Sequence, residues 1–387
     1  MQRRQIIFFK IGSFSQVNFI TARELAGRFP EYDFRVVDVE KEIIGTQAFL
    51  YLRAFVEATT RYGWRMASQR IHPRDFFCRI PCVLAAIRKW VARNVQPEKT
   101  AFTFQTQSLF DARREKVPHF IYTDHTYLAN QRYEDPVPLL PVAKSWRRME
   151  NELYHNADIN FTFSQFAADS IMGDYGVPAP QVQCVYSGPN TEFPFHTNTS
   201  LRTGQHILFV GADWVRKGGP ELLEAFLLVR KELPKTELIV VGGGPEIFVP
   251  GMTAVGRVSL NQLKAYYESS DVFCLPSRQD PSANVLVEAA AYALPIVATP
   301  VGGNKERVVD GETGYLVPRG DIDSMAKKLC CLLRDENLRS TMGMKGRQRV
   351  SELFHWPAVM DRISSTIGQR ISVNSEGMLR KSFATCP

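Results

Sequence analysis

The sequence lacks any apolar run of the ~18 residues that a membrane-spanning helix requires. Its first residues, MQRRQIIFFKIGSF, carry the positive charge of a signal peptide, but Lys10 interrupts the apolar stretch and no small-residue cleavage site follows. We therefore expect neither a membrane span nor a signal peptide. The expected location is the cytoplasm, either free in solution or peripheral on the inner face of the membrane.

Cysteine is scarce and unpatterned. The seven cysteines include no Cys-x-x-Cys pair, and no spacing of His and Cys is typical of a zinc site. This usage excludes a disulfide framework and fits a reducing compartment. Asp321 and Asp323 form an Asp-x-Asp pair that resembles a metal ligand pattern. Because they directly precede a helical pattern, we expect an N-cap and a first-turn acid instead.

Positive charge is abundant and unevenly distributed. The formal net charge is +7, and nine Lys or Arg residues against two acids lie between Arg53 and Arg93, with aromatic residues interleaved. No recognised nucleic-acid module accompanies this charge, so nucleic acid is not an expected partner. Two interpretations stay open: a solvated basic face, or a surface that meets an anionic membrane or an anionic acceptor.

Strand and helix patterns occur in two series, and a length of 387 residues allows roughly two domains. The first series has the predicted strands QIIFFKIG, FRVVDVE, PHFIYTDH and DINFTFS, and the second has HILFVG, TELIVVGGG, DVFCLPS and PIVAT, with helical patterns between them. Residues 190–204 lose periodicity and are predicted to be a linker. The predicted fold is α/β, with two doubly wound parallel-sheet domains that face each other across a cleft.

We place the domain boundaries at 1–195 and 196–355. A helix at about 356–370 is expected to pack back on the first domain, followed by a tail over 371–387. In doubly wound sheets, ligands bind at the carboxyl ends of the strands. The cleft between the two sheets is therefore the expected site.

Two glycine-rich loops follow strands of the second series. In VGADWVRKGG, Arg216 and Lys217 precede the glycines that open a helix, a combination that suits a phosphate. The second loop, VVGGGPE, permits a close backbone approach but lacks the full spacing of a dinucleotide fingerprint. A nicotinamide site is therefore not favoured.

The stretch DPSANVLVEAAAYALPIVATPVGG, residues 280–303, carries two acids eight positions apart. Asp280 is expected in a loop at the sheet edge and Glu288 about one turn into the next helix, so that both face the cleft. The N–H groups at the start of that helix would point toward a bound diphosphate. Taken singly, Glu288 is equally well explained as an ordinary helix acid, and His125 has an alternative explanation as a buried core histidine.

These motifs, in this order over roughly residues 118–356, resemble the retaining nucleotide-sugar glycosyltransferases of family 4, which adopt the GT-B fold. The N-terminal third matches in architecture only. The resemblance implies that Lys217, assisted by Arg216, contacts the diphosphate of the donor. It implies further that Asp280 holds the sugar hydroxyls, that Glu288 binds the ribose, and that His125 reaches the transferred sugar. Asp280, Lys217 and His125 are thus the expected catalytic residues.

The other donor contacts implied by the resemblance come from backbone amides and glycine turns. They are assigned to Asn284, Val285, Leu286, Gly302, Gly303 and Gly12. The sequence departs from the family in three places: Asp280 is one methylene shorter than the usual Glu, Ala212 stands where an Arg is common, and the loop after the first strand has a single glycine. Arg216 is expected to substitute for the missing cation.

The implied reaction moves a hexose from a UDP- or GDP-sugar to a glycan or lipid-linked acceptor in cell-envelope or exopolysaccharide synthesis. The nucleotide-sugar is a co-substrate, no cofactor or metal is expected, and the N-terminal domain is expected to bind the acceptor. Two alternatives remain open. One is a sugar-nucleotide epimerase of the same fold; the other, suggested by Ala212 and Asp280, is an inactive donor-binding subunit of a glycan-synthesis complex.

Overall fold

The computed structural model describes residues 3–12, 14, 16–69, 77–133, 144–192, 194, 202–245 and 249–383, with the helical backbone alone at 64–69 and 373–383. Most of the predicted linker, including the boundary at 195, lies outside the described residues. So do residues 70–76 of the basic segment. No helix within the described ranges combines the length and apolar composition needed to cross a membrane.

The first domain is built on a six-stranded parallel sheet. Its strands are β1 (Gln5–Lys10), β2 (Asp33–Asp38), β3 (Thr100–Thr106), β4 (His119–Thr123), β5 (Ile159–Thr162) and β6 (Val182–Cys184), in the spatial order β2-β1-β3-β4-β5-β6. The helices of this domain are α1 (Val17–Arg28), α2 (Ala48–Gln69), α3 (Pro81–Asn94), α4 (Tyr127–Asn130), α5 (Lys144–Asn156) and α6 (Gln165–Gly173). The inner strands β3, β4 and β5 are buried along their whole length because helices cover both faces of the sheet.

The second domain repeats this plan. Its strands are β7 (His206–Gly211), β8 (Glu237–Gly242), β9 (Met252–Gly256), β10 (Val272–Leu275), β11 (Ile296–Ala298) and β12 (Gly314–Leu316), in the order β12-β11-β10-β7-β8-β9, all parallel. Its helices are α7 (Gly219–Glu232), α8 (Leu260–Ser269), α9 (Asn284–Ala291), α10 (Asn304–Arg307), α11 (Ile322–Arg334) and α12 (Glu336–Arg349). The predicted pair of doubly wound parallel domains is confirmed.

The last helix, α13 (Trp356–Phe383), leaves the second domain and packs on the first. Four of its side chains are fully buried in one apolar cluster with strands β1 and β3 and helix α1: Val359, Met360, Ile363 and Ile367. Where α13 begins, Trp356 Nε1 donates a hydrogen bond of 2.8 Å to the carbonyl oxygen of Pro189. The helix continues beyond residue 370 to Phe383, and so includes most of the segment that the sequence analysis assigned to a tail.

The sequence pattern also predicts a capping role for Asp321, and this is confirmed. Its side chain accepts a hydrogen bond of 3.0 Å from the backbone N–H of Ser324 at the start of α11. That bond lowers the pKa of Asp321, because it favours the ionised carboxylate. Among the described residues, no group of three or more His, Cys, Asp or Glu side chains is arranged to hold a metal ion.

We expect Ile363→Ala to destabilise the first domain, because it leaves a cavity between α13 and the sheet. A buried Ile-to-Ala change costs about 2–5 kcal/mol. Met344→Ala is the matched control, since Met344 is 54% exposed and its loss should change stability by less than about 0.5 kcal/mol. Urea unfolding followed by circular dichroism measures both. Equal unfolding midpoints for the two variants would contradict the packing of α13 on the first domain.

Candidate functional site

A cavity of about 690 Å³ lies between the carboxyl ends of the two sheets. Its lining comes from β7 and β8 themselves and from the segments that follow β1, β4, β5 and β6 in the first domain and β7, β9 and β10 in the second. Because these strands are parallel, their carboxyl ends collect at one edge of each sheet. Six of the predicted site residues line the cavity: His125, Arg216, Lys217, Asp280, Asn284 and Val285.

The central contact of the site is an ion pair between Lys217 Nζ and Asp280 Oδ2. Lys217 follows β7 and Asp280 follows β10, and these two strands are neighbours in the sheet. The Lys217 and Asp280 side chains are only 13% and 5% exposed. Ser277 Oγ donates a further hydrogen bond of 3.3 Å to the same carboxylate oxygen. Each charge is buried, so each depends on the other for compensation.

A glycine fixes Lys217 in this position. Gly218 has φ +79°, and a Cβ atom there would lie 1.8 Å from the carbonyl oxygen of Pro276 at the end of β10. Only a residue without a side chain allows this approach. Helix α7 can therefore start against the end of the neighbouring strand, which brings Lys217 next to Asp280.

The Gly302–Gly303 turn packs against the backbone of the Asp280 loop and does not line the cavity. A Cβ at Gly302, where φ is +52°, would lie 2.1 Å from the carbonyl oxygen of Asp280. Gly303 N donates a hydrogen bond of 2.9 Å to the carbonyl oxygen of Pro281. The turn was predicted to contact the donor, whereas in the structure it contacts the backbone of Asp280 and Pro281.

Helix α9 begins at the cavity wall. Asn284 and Val285 line the cavity, whereas Leu286 is fully buried in the core. The N-cap residue, Ala283, has no side chain that can accept from the first N–H groups of the helix. Asn284 Oδ1 instead accepts from Ser187 Oγ of the first domain at 2.8 Å. The positive end of the α9 dipole thus points toward the cavity without a side-chain cap.

Glu288 lies one turn into α9, as predicted, but its side chain does not face the cavity. Its Oε1 accepts hydrogen bonds from the backbone N and the Nδ2 of Asn190, at 3.1 and 3.0 Å. Its Oε2 accepts from the hydroxyl of Tyr267 at 2.9 Å. Burial raises the pKa of Glu288. The expectation that both acids face the cleft therefore holds for Asp280 alone, because protein donors occupy both oxygens of Glu288.

His125 lies two residues beyond the end of β4 and lines the cavity. The ring Nδ1 is 2.7 Å from Oδ1 of Asp124. Burial by itself disfavours the imidazolium, but the neighbouring Asp124 carboxylate outweighs this effect and raises the pKa of His125. The ring is thus held as a cation to higher pH than a free histidine.

A buried carboxylate holds the segment that follows His125. Glu150 accepts hydrogen bonds from Ser108 Oγ at 3.1 Å, from the backbone N of Tyr127 at 3.3 Å, and from the hydroxyls of Tyr154 and Tyr175. Burial raises the pKa of Glu150 despite these four donors. This cluster fixes the start of α4, and no sequence pattern indicated it.

Two residues of α10 join the domains beside the cavity. The carboxylate of Glu306 accepts from the backbone N–H groups of Gln165 and Phe166, at 2.6 and 2.9 Å, and so caps α6 of the other domain. The guanidinium of Arg307 donates to the carbonyl oxygen of Phe163 at 3.0 Å and to Ser282 Oγ at 2.7 Å. Burial lowers the pKa of Arg307 to about 10.

Two further predicted residues, Arg216 and Gly12, differ in their position relative to the cavity. Arg216 lines the cavity, and its Nη1 donates to the carbonyl oxygen of Gln279 at 3.0 Å. Gly12, with φ +57°, does not line the cavity, and its carbonyl oxygen accepts from Asn18 Nδ2 at 3.0 Å. Phe14, two residues later, supplies the contact of this loop with the cavity.

Sequence reasoning missed several lining residues, namely Phe14, Asp124, Asn130, Tyr133, Asn190 and Arg257. Asp124 could have been found, since it adjoins His125 at a strand end. Asn190 lies at the start of the segment predicted as a linker, where its contact with Glu288 had no sequence signal. Arg257 follows β9, a strand that the sequence patterns did not predict, and adds a third cation to Arg216 and Lys217.

The second domain matches a known family. Residues 204–335 match the model of "Glycosyl transferases group 1". A capsular polysaccharide biosynthesis glycosyltransferase of Staphylococcus aureus is 30% identical over 171 residues, covering 41% of this chain and 44% of the relative. The GDP-mannose-dependent alpha-(1-6)-phosphatidylinositol monomannoside mannosyltransferase of Mycolicibacterium smegmatis is 29% identical over 259 residues. The match covers 60% of this chain and 67% of the relative.

This chain spans about half of the length of the first of these relatives. The fold similarity is more extensive. An Anabaena protein solved in complex with UDP superposes with a TM-score of 0.62, covering 94% of this chain and 100% of that chain at 14% identity. At this identity, the comparison establishes the shared two-domain architecture.

We expect Asp124→Asn to lower the pKa of His125, because burial then acts without the compensating carboxylate. The sign for stability follows from the raised pKa: the contribution of this pair is fully present below the unfolded-state pKa of His125 and is lost as the pH rises through its folded-state pKa. An NMR titration of the His125 ring measures the shift. Asp169→Asn, an exposed acid on α6, is the control. An unchanged His125 midpoint in Asp124→Asn would refute the assigned cause.

Proposed function

We propose that this chain, a GT-B protein similar to the glycosyltransferases of family 4, transfers a hexose from a UDP- or GDP-sugar to a glycan or lipid-linked acceptor, with retention of the anomeric configuration. The observation that carries the proposal is the meeting of Lys217, Asp280 and the start of α9 at one interdomain cavity. A diphosphate and a sugar require this combination of a cation, a helix N-terminus and a hydroxyl acceptor.

The diphosphate would lie between Lys217 and the first turn of α9. An ammonium group has three donors, so Lys217 can bind a phosphate oxygen while it keeps its contact with Asp280. Arg216 adds a second cation at the same wall. These groups are already held in place by protein contacts, and preorganised charge of this kind stabilises a leaving diphosphate in the transition state.

The sugar would contact Asp280 and His125. Lys217 and Ser277 both act on Oδ2 of Asp280, and its Oδ1 has no hydrogen bond to the described residues, so it can accept from a sugar hydroxyl. His125, on the opposite wall, can reach the same ring. The leaving phosphate takes the proton of the acceptor on the face that it departs from, so the reaction requires no separate base. Lys217 and the start of α9 neutralise the charge of the diphosphate, the task that a metal would otherwise perform.

The proposed ribose contact of Glu288 requires a local exchange. Asn190 lines the cavity and donates to Oε1 of Glu288. A ribose hydroxyl that replaces Asn190 at this oxygen would restore a hydrogen bond of the same kind. The donor would then also shift the segment that joins the two domains.

The acceptor class is supported by the named relatives. One is named for capsular polysaccharide synthesis and the other for a phosphatidylinositol mannoside. A glycan or a lipid-linked glycan in cell-envelope or exopolysaccharide synthesis is therefore the proposed acceptor of this chain.

Release of nucleoside diphosphate tests the proposal directly. The chain is incubated with UDP-, GDP- and ADP-sugars, each with and without an extract of lipids and glycans. We expect release from one UDP- or GDP-sugar, enhanced by the extract. Conversion of the donor to another nucleotide-sugar without acceptor would identify an epimerase. Thermal stabilisation by a donor without release under any condition would identify an inactive binding subunit.

We expect Lys217→Ala and Glu288→Gln to lower the rate at subsaturating donor by more than about tenfold, the loss that corresponds to one strong transition-state contact. Glu288→Gln keeps the shape of the side chain, so the fold should persist, which thermal unfolding checks. The matched controls are Lys231→Ala and Glu312→Gln, because both residues are exposed and distant in the chain from the cavity lining. Wild-type rates in either site variant would refute its assigned role.

A further inference from the structure

A second ion pair connects the two loops that carry Lys217 and Asp280. Nε of Arg278 donates a hydrogen bond of 2.6 Å to Oε1 of Glu221. Glu221 lies in the first turn of α7, four residues after Lys217, and Arg278 lies two residues before Asp280. We call Glu221 and Arg278 the outer pair, because neither residue lines the cavity. Its charges are arranged in the opposite order, since here the acid follows β7 and the cation follows β10.

Two hydrogen bonds join the same two loops next to the outer pair. The backbone N–H of Arg278 donates to the carbonyl oxygen of Arg216 at 2.9 Å, and Nη1 of Arg216 donates to the carbonyl oxygen of Gln279 at 3.0 Å. Arg278 is therefore held at its backbone by the loop after β7 and at its guanidinium by Glu221. A residue that is held at both ends restricts the position of Asp280, two residues further along the chain.

The outer pair is partly buried, which distinguishes it from an ordinary surface ion pair. The Glu221 side chain is 15% exposed and the Arg278 side chain 34% exposed. Oε2 of Glu221 is buried and has no hydrogen-bond partner in the part of the chain that the structure describes. Exposed ion pairs contribute little to stability, whereas a buried charge that loses its partner is strongly unfavourable. The Glu221 carboxylate therefore depends on Arg278 for the compensation of its charge.

The position of Glu221 in α7 has a simpler explanation, which accounts for only part of the arrangement. An acid in the first turn stabilises a helix through the positive end of its dipole. The dipole does not explain why the acid is joined to Arg278, a cation of another loop. Without Glu221, the nearest acid in the chain to Arg278 is Asp280, two residues away. The unpaired guanidinium would then compete with Lys217 for the Asp280 carboxylate.

We propose that Glu221 and Arg278 are positioning residues, which hold the Asp280 carboxylate where it can accept a hydroxyl of the transferred hexose. This inference rests on the proposed function, because the hexose contact of Asp280 is part of that function. It adds two residues outside the cavity that act on the sugar through Asp280. The free nucleoside diphosphate, whose proposed contacts are Lys217 and the start of α9, should bind no more weakly without the outer pair.

Calorimetric titration with two kinds of ligand tests the inference. The nucleotide-sugars are UDP-glucose and GDP-mannose, and the free nucleotides are UDP and GDP. We expect Glu221→Gln and Arg278→Gln each to weaken the binding of the nucleotide-sugar that the wild type binds by about tenfold, the effect of one hydrogen bond between charged groups. The Kd of the corresponding free nucleotide should stay within about twofold of the wild-type value.

An exposed ion pair on the same helix supplies the matched control. Glu232 of α7 pairs with Arg334 of α11 at 2.6 Å, and both side chains are 54% exposed. Glu232→Gln and Arg334→Gln should bind both kinds of ligand as the wild type does, since an exposed pair contributes little. Arg278→Lys keeps the cation and should recover part of the affinity that Arg278→Gln loses. It also serves as the second variant if Arg278→Gln does not fold, which melting temperatures check.

The Asp280→Asn background shows whether the outer pair acts through Asp280. Residues that act through one another are not additive, so Glu221→Gln should cause no further loss of nucleotide-sugar affinity in Asp280→Asn. A further loss of about tenfold in this background would overturn the positioning role.

Two other results would overturn the inference and leave the proposed function intact. One is wild-type affinity of Glu221→Gln for the nucleotide-sugar, which would leave the outer pair with a role in stability alone. The other is an equal loss of affinity for the free nucleotide, which would assign the pair to the diphosphate contacts of Lys217. A wild type that binds neither nucleotide-sugar would refute the proposed function itself, together with the inference that rests on it.

Discussion

The buried ion pair between Lys217 and Asp280 is the contact on which the candidate site depends. It joins the segments that follow two adjacent strands, and it can form because Gly218 allows α7 to start against the end of β10. The Gly302–Gly303 turn supports the Asp280 side of the pair from behind. Neither charge would be stable alone in this position, since the loss of one partner leaves the other buried without compensation. The charged side chains of the cavity wall are therefore held in position by contacts within the protein.

The same short part of the chain that forms this wall also connects the two domains. Glu288 reaches Asn190, Glu306 caps α6, and Arg307 spans from Ser282 to the carbonyl oxygen of Phe163. A ligand that shifts the loop or α9 consequently acts on the domain interface through direct contacts. Binding and the relative position of the domains are thus linked by hydrogen bonds, without a separate relay.

The sequence predicted those elements whose patterns reflect burial alone. The strand HILFVG matches β7 residue for residue, because an apolar run between turns has one simple explanation. Strand β3 was missed, since its buried Thr103 and Gln105 interrupt the apolar pattern. Thr103 is partnered by the His119 ring of the next strand at 2.8 Å, and Gln105 by backbone groups of the loop that follows β3. The site shows the same limit. Motifs identified Lys217 and Asp280, but the pairing of Glu288 with Asn190 depends on tertiary contacts that no local spacing encodes.

The return of α13 to the first domain gives the second domain two covalent connections to the rest of the chain. One passes through Pro189 and the other through Trp356, and the hydrogen bond between these residues shows that the two crossings lie side by side. A domain connected by two adjacent chain crossings rotates most easily about the axis that passes through both. Sliding and rotation in other directions are restrained, so the two walls of the cavity can move apart and return to the same relative position. A proteolytic cut in either crossing would leave the two bodies attached through the other.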